Sequence, residues 1–458
     1  MGIEPTLSAW KAEVLPLNYT RESGIRSQES GTRKKRKEII ILLFSSSCPL
    51  TPGSWFLIME GEGFEPSKAE PSDLQSDPFD RSGTPPKISK PWILLRNQDD
   101  VNEKWCAILP PLKMIRCAHM EISPIKLSSN ENPNGCSPLI SQAIIKSEHV
   151  YSRYPQQILR LGKKLANHLG VDHHQVLLTN GSSEALELII RTFNTMNCEI
   201  ILPQYAFFYQ KTICQHAPIT IKEVAASNGQ QDLTEILNAI NKKTRLILLT
   251  NPSNPIGSFI KFFDLEIFMA KVPSHIIVII DEAYHEYMME KEYQTGIMLI
   301  KKHKNLIITR TFSKAYGLAG LRIGYCVGDH HLIQAITKIK NPFSVNNLAL
   351  VAAEVALEDE HFIVTTRRLN HEGLNQLAEG FAKLNIKYLN KTANFITIDL
   401  EQNASLVAEI LLTQSIAIKT LNEYNLPNHI RVSVGLENAN QTFLNVMEEI
   451  LIKSSTLA

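Results

Sequence analysis

His275-Ile276-Ile277-Val278-Ile279-Ile280 runs straight into Asp281-Glu282-Ala283-Tyr284. Five consecutive aliphatic residues leave no side for solvent, so the segment reads as a strand buried on both faces. A carboxylate at the end of such a strand is costly unless a cation or several donors hold it. Six further short runs of the same kind lie on either side: Gln175–Thr179, Glu199–Pro203, Thr220–Val224, Arg245–Thr250, Asn305–Thr309 and Ile323–Val327. Most are separated by segments of helical spacing, such as Ser183–Phe193 and Leu233–Asn241. Buried strands alternating with helices predict an α/β fold, with a mostly parallel sheet covered on both faces.

The 458 residues suggest two or three domains at about 150 residues each. With 47 basic against 46 acidic side chains, the chain lacks the charge excess of a nucleic-acid or anionic-lipid binder. Seven scattered cysteines do not form a disulfide framework and point to a reducing cytoplasm. The composition is not uniform. Twelve of the 23 prolines and all four tryptophans precede Met120. That stretch has no sustained periodicity, and Glu65-Pro66-Ser67 and Thr84-Pro85-Pro86-Lys87 are loop signals. The apolar run Ile39–Phe44 is six residues, against about 20 for a membrane span. The preceding Arg33-Lys34-Lys35-Arg36-Lys37 reads as a solvated charge run rather than a targeting signal. Gly2-Ile3-Glu4-Pro5-Thr6 recurs as Gly63-Phe64-Glu65-Pro66-Ser67, a pattern that resembles conceptual translation across a transfer-RNA gene. Residues 1–119 are therefore expected to be a leader, either a misplaced start ahead of Met114 or Met120 or a disordered extension.

Ligands of open α/β sheets bind beyond the carboxyl ends of the strands, and those ends carry the chemistry here. Asn180-Gly181-Ser182-Ser183-Glu184 opens a helix whose free N–H groups suit an anion, or simply caps it. Pro203-Gln204-Tyr205 offers an aromatic face, and Asn251-Pro252-Ser253-Asn254-Pro255 a stiff turn with two amides. Asp281 and Tyr284 follow their strand directly. Thr311-Phe312-Ser313-Lys314 sets an amine beside two hydroxyls, with Arg322 eight residues on. Each feature alone has a bland reading. Together they specify a stacking face, an acid, amide donors, a phosphate cup and an amine. Those are the requirements of pyridoxal 5′-phosphate, whose aldehyde condenses with a lysine and whose ring nitrogen needs an anionic partner. No metal site is expected, because His173-His174 and His330-His331 are adjacent positions that should not face one another.

From about Lys126 onward the chain resembles the fold-type I aminotransferases, and within them the histidinol-phosphate aminotransferase group. The resemblance rests on the strand-end motifs above and on three further blocks: Asn130-Glu131-Asn132-Pro133; Arg153-Tyr154-Pro155; and Tyr424-Asn425-Leu426-Pro427 with Ile430-Arg431-Val432-Ser433-Val434-Gly435. It implies a seven-stranded large domain, residues 146–345, and a smaller α/β domain from 120–145 and 346–458. It also implies that Lys314 holds the cofactor and then moves the substrate proton, and that Asp281 pairs with the ring nitrogen. Asn254 and Tyr284 would bind the ring hydroxyl, and Tyr205 would stack on the ring. Ser182, Ser183, Thr311, Ser313 and Arg322 would form the phosphate cup, with Tyr154 reaching the cofactor of a second subunit in a homodimer. Arg431 would bind the substrate's acidic group. Lys419 stands where relatives commonly carry arginine, and Ser182 and Ser183 where many carry Ala and Asp. The implied reaction is amino transfer between L-histidinol phosphate and 2-oxoglutarate. Aromatic-amino-acid aminotransferases share the motif set, a decarboxylase of a phosphorylated amino acid would use the same pocket, and a cofactor-binding regulator would lack the need for an intact Lys314.

Overall fold

The computed structural model describes residues 125–147 and 150–455. All of them belong to the unit Glu121–Ala458. The expected leader, with its basic run and its repeated pentapeptide, lies outside the described residues.

A seven-stranded sheet is built from β1 (Val176–Thr179), β2 (Glu199–Pro203), β3 (Thr220–Val224), β4 (Thr244–Thr250), β5 (Ile277–Asp281), β6 (Leu306–Thr311) and β7 (Gly324–Gly328), in the order β1-β7-β6-β5-β4-β2-β3. Alternate residues of one strand enter different cores. Val278 and Ile280 join Ile247, Leu249, Leu306 and Ile308 on one face, while Ile277 and Ile279 join Leu246, Leu248 and Ile307 on the other. This double burial is why the strand sequences are unbroken runs, and each buried aliphatic side chain stabilises the fold by about 1.5–3 kcal/mol.

β7 departs from the parallel pattern, running antiparallel to both β1 and β6. A parallel return needs a crossover, usually helical. Between Thr311 and Gly324 only a turn and the short 3-10 segment Ala319–Leu321 intervene, so the chain doubles back. Thr311 consequently pairs with Gly324, and Thr179 pairs with the same glycine from the other side. The reversal brings Arg322, just before β7, to the carboxyl edge of the parallel strands.

A second sheet of β8 (Lys387–Thr392), β9 (Phe395–Asp399), β10 (Lys419–Leu421) and β11 (Leu426–Ser433) is antiparallel throughout, in the order β10-β11-β9-β8. Its core joins Ile396, Ile398, Ile430 and Val432 to Leu377 and Phe381 of helix Glu360–Lys383 and to Phe443 and Met447 of helix Glu437–Ser455. The entry segment joins this body: Ile125 and Lys126 pair with Ile416 and Ala417, and Leu127 packs in its core. The expected divisions at 145/146 and 345/346 do not coincide with the split between the cores. Ile140 of helix Pro138–Lys146, and Ala349, Leu350 and Ala353 of helix Asn347–Ala356, pack against the large sheet instead. Their apolar faces are continuous with that larger core.

The histidine pairs also differ from expectation. The rings of His173 and His174 lie 3.8 Å apart and those of His330 and His331 3.7 Å apart. Each pair follows an N-capping aspartate, Asp172 or Asp329, which accepts from the backbone N–H of the second histidine, and this places both side chains at a helix start. Among the described residues, no helix is long and apolar enough to cross a membrane.

Candidate active site

A cavity of about 390 Å³ opens where the carboxyl edge of the large sheet meets the small one. It brings together Lys314, Asp281, Tyr284, Asn254, Ser182, Ser183, Thr311, Ser313, Arg322, Lys419 and Arg431, eleven of the thirteen residues singled out in the sequence.

Asp281 ends β5 and is buried. Thr309, its neighbour on β6, donates to Oδ1 at 3.0 Å, and Gln210 donates to Oδ2 at 3.2 Å. Burial pushes the carboxyl up to about 6, while these donors and the Ala283 N–H work in the other direction. The acid is therefore ionised at neutral pH yet close to its limit.

Lys314 follows β6, half-buried, and its Nζ donates to the Ser129 carbonyl at 2.9 Å. Burial first, then the Arg431 and Arg322 charges, lower its proton affinity to about 8, against the smaller opposing pull of Glu131 and Asp281. An amine so placed reaches its neutral, nucleophilic form near physiological pH.

Tyr284 is held from two sides: Asn130 Nδ2 donates to its hydroxyl at 2.9 Å and Asn254 Nδ2 at 3.1 Å. With both acceptor positions of the oxygen taken, its own proton is left to donate elsewhere. The Asn254 carbonyl accepts from Arg431 Nη1 at 2.5 Å, and Arg431 Nη2 donates to the Ser128 carbonyl at 2.6 Å. Arg431 Nε is buried without a partner among the described residues, so the guanidinium keeps unused donor capacity beside the cavity.

The anion cup is formed by close backbone approach. Gly181, at φ +76, begins helix Gly181–Phe193, and a Cβ there would lie 2.6 Å from Arg322 Nη2. A Cβ on Gly324 would lie 2.5 Å from the Ser182 nitrogen. The bare Gly181 lets the guanidinium lie over the helix start, and the bare Gly324 lets β7 pass against that start. Arg322 Nη1 donates to Ser313 Oγ at 3.1 Å, and the Thr311 hydroxyl donates to the same oxygen at 2.9 Å. Helix N–H groups, the hydroxyls of Ser182, Ser183, Thr311 and Ser313, and a guanidinium form a donor set suited to a phosphate.

From the small sheet, Lys419 on β10 pairs directly with Arg431 on β11. The two cations share one face, but Lys419 Nζ is bound to Glu423 at 2.9 Å.

Two of the singled-out residues do not line this cavity, and for Tyr154 the expected contact was with a second subunit. Tyr205 does not line the cavity; Phe207 and Phe208 do. Ala206 N bonds to Pro203 O at 2.9 Å in a tight turn, which carries the chain past Tyr205 before helix Phe208–Gln215 begins. Tyr154 lies outside the cavity, 74% exposed, with its ring stacked 4.7 Å from that of Phe343. Asn130, Gln210, Thr309 and Glu423 had no role assigned from sequence. Asn130 could have been suspected, since it opens the Asn130–Pro133 block and stands in left-handed backbone at φ 53.

The family model "Aminotransferase class I and II" matches residues 122–445. Histidinol-phosphate aminotransferase 1 of Nitrosococcus oceani is 39% identical over 328 residues, 71% of this chain and 89% of that protein. Histidinol-phosphate aminotransferase 2 of Pasteurella multocida is also 39% identical over 328 residues, covering 71% and 90%. The solved structure of histidinol-phosphate aminotransferase from Sinorhizobium meliloti in complex with pyridoxal-5'-phosphate is 25% identical and superposes with a TM-score of 0.68, over 73% of this chain and 91% of that one. The sheet, the strand-edge site and these matches agree, and the chain belongs to the class I and II aminotransferase family.

Proposed function

We propose that the protein transfers the amino group of L-histidinol phosphate to 2-oxoglutarate, in histidine biosynthesis, with pyridoxal 5′-phosphate as its cofactor. The carrying observation is the convergence of Lys314, Asp281 and the Arg322 cup on one strand edge, with Arg431 and Lys419 paired opposite.

The donor set fits the cofactor: a cup of phosphate-binding groups, a buried acid, a hydroxyl with its proton available, and an amine. When bound, the cofactor supplies an aldehyde for a lysine and a ring that withdraws electrons from the substrate Cα. Arg322, Ser182, Ser183, Thr311 and Ser313 anchor its phosphate. Asp281 keeps a proton on the ring nitrogen through charge. Tyr284, oriented by Asn130 and Asn254, donates to the ring hydroxyl. Phe207 and Phe208, rather than Tyr205, supply the apolar wall. Lys314 Nζ would take and return the Cα proton, for which its lowered proton affinity suits it. Arg431 binds the carboxylate of glutamate by its planar fork, and Lys419, freed from Glu423, meets the second anionic group.

A homodimer with shared sites is part of the proposal, supported by the exposed Tyr154–Phe343 stack; sedimentation equilibrium reading a monomer mass would remove it. The four described cysteines are free thiols, which supports a reducing cytoplasm as the location. The aromatic lining of Phe207, Phe208 and Tyr424 also suits phenylalanine or tyrosine. Single-turnover rates with histidinol phosphate, phenylalanine and tyrosine as donors separate the two readings. A preference for the aromatic acids would replace the phosphorylated substrate.

A further inference from the structure

We infer that Gln210 is a positioning residue that holds Asp281 as a charged, correctly turned partner for the cofactor ring; this deepens the reading above and rests on it. Gln210 lies on helix Phe208–Gln215, fully buried, and its side chain joins the end of β4 to the end of β5. Its amide has two partners, the Thr250 hydroxyl at 3.1 Å from Nε2 and Asp281 Oδ2 at 3.2 Å. An ionised carboxylate only accepts, so it fixes which end of the amide faces it: the NH2 must point at Asp281 and the carbonyl toward Thr250, whose hydroxyl lies 3.3 Å from Oε1. Gln231 in turn clamps Thr250 through both its backbone groups, donating to the carbonyl at 2.7 Å and accepting from the N–H at 3.1 Å. The amide is therefore held from behind rather than free to turn.

Two consequences follow for Asp281. With Thr309 on one oxygen and Gln210 on the other, rotation of the carboxylate would break two bonds at once. A donor on Oδ2 also opposes protonation of that oxygen, countering the effect of burial. Gln210 thus acts on the ring nitrogen only through Asp281.

The test is Gln210→Met, which keeps length and approximate volume but has no donor. Cofactor-free wild type and variant are titrated with pyridoxal 5′-phosphate and with its analogue carrying CH in place of the ring nitrogen. A hydrogen bond to a charged group corresponds to about 10- to 100-fold. The expected result is a cofactor Kd raised by about that factor, an analogue Kd unchanged, a similarly lowered kcat with KM for glutamate nearly constant, and an acid limb of kcat moved to higher pH. Gln210→His, which retains an N–H, should restore the acid limb. Equal losses for cofactor and analogue would show a merely structural residue, and unchanged affinity and acid limb would likewise overturn the inference. If the methionine variant fails to fold, Thr250→Val should move the acid limb in the same direction by a smaller amount, and no movement overturns it. Failure of the underlying reading is distinct, since the wild-type protein would then neither bind the cofactor nor transaminate.

Discussion

The carboxyl edge of the large sheet and the cleft-facing side of the small sheet contribute to one cavity by different means. At the edge, the functional groups sit directly at strand ends, so backbone geometry sets their positions: Lys314 lies three residues beyond β6, Asp281 is the last residue of β5, Ser182 follows β1 through Gly181, and Arg322 just precedes β7. On the small sheet, Arg431 and Lys419 stand within strands and meet because β10 and β11 are in register. The edge is clamped by many cross-bonds. The paired cations depend on a half-exposed ion pair and on contacts from Asn254 and Ser128. Edge groups should accordingly govern cofactor retention and chemistry, and the small-sheet cations substrate selection.

The largest expected effect comes from the edge. Lys314→Ala should abolish transamination, a loss of about 10⁴-fold or more, because in the proposed function one residue supplies both attachment and proton transfer. Loss of the visible band that disappears on borohydride reduction should accompany it; substantial residual turnover would place the base elsewhere. Asp281→Asn should lower kcat by about 10²–10³-fold, since it removes the charge of a buried pair, while thermal unfolding stays cooperative. A mild loss would dissociate the acid from the ring.

On the other side, Arg431→Leu should raise KM for glutamate by about 10²-fold and leave cofactor Kd unchanged. If cofactor affinity fell in parallel, the division between edge and face would not hold, and the Asn254 bridge to Tyr284 would be the reason to examine. Proton linkage offers a check that needs no variant. Attachment to the cofactor-free protein requires neutral Lys314, so its rate should rise with pH up to about 8 and then level. Ring binding requires ionised Asp281, so cofactor affinity should fall as pH drops through about 6. The smallest effect is expected from Lys419→Arg. A bidentate fork should lower KM for the phosphorylated donor by roughly 3- to 10-fold, and an unchanged KM would show that Glu423 keeps residue 419 out of the phosphate's reach.

The strands were readable because burial on both faces demands unbroken aliphatic runs, and all seven emerged within about two residues of their sequence positions. The order of features after those strands was equally readable, since ligands gather where strands end. Tyr205 shows the limit of such reading. One tight turn after Pro203 brings Phe207 and Phe208, not the tyrosine, to the cavity, and no local signal distinguishes the three aromatics. Gln210 and Thr309 were silent because a lone amide or hydroxyl has no pattern; only the packing of a helix and a neighbouring strand around Asp281 gives them meaning.

The amino-acid sequence by itself determined the α/β class and the run of strand-end motifs that sets an amine, an acid and hydroxyls at those ends, because each follows from periodicity or from chemistry local to a few residues. Tertiary structure alone decided the antiparallel return of β7 that delivers Arg322, the register that pairs Lys419 with Arg431, and the donors set around Asp281. Those depend on pairings between separate elements, from Lys419 with Arg431 to Gln210 with Asp281 71 positions away, where the chain order carries no distance.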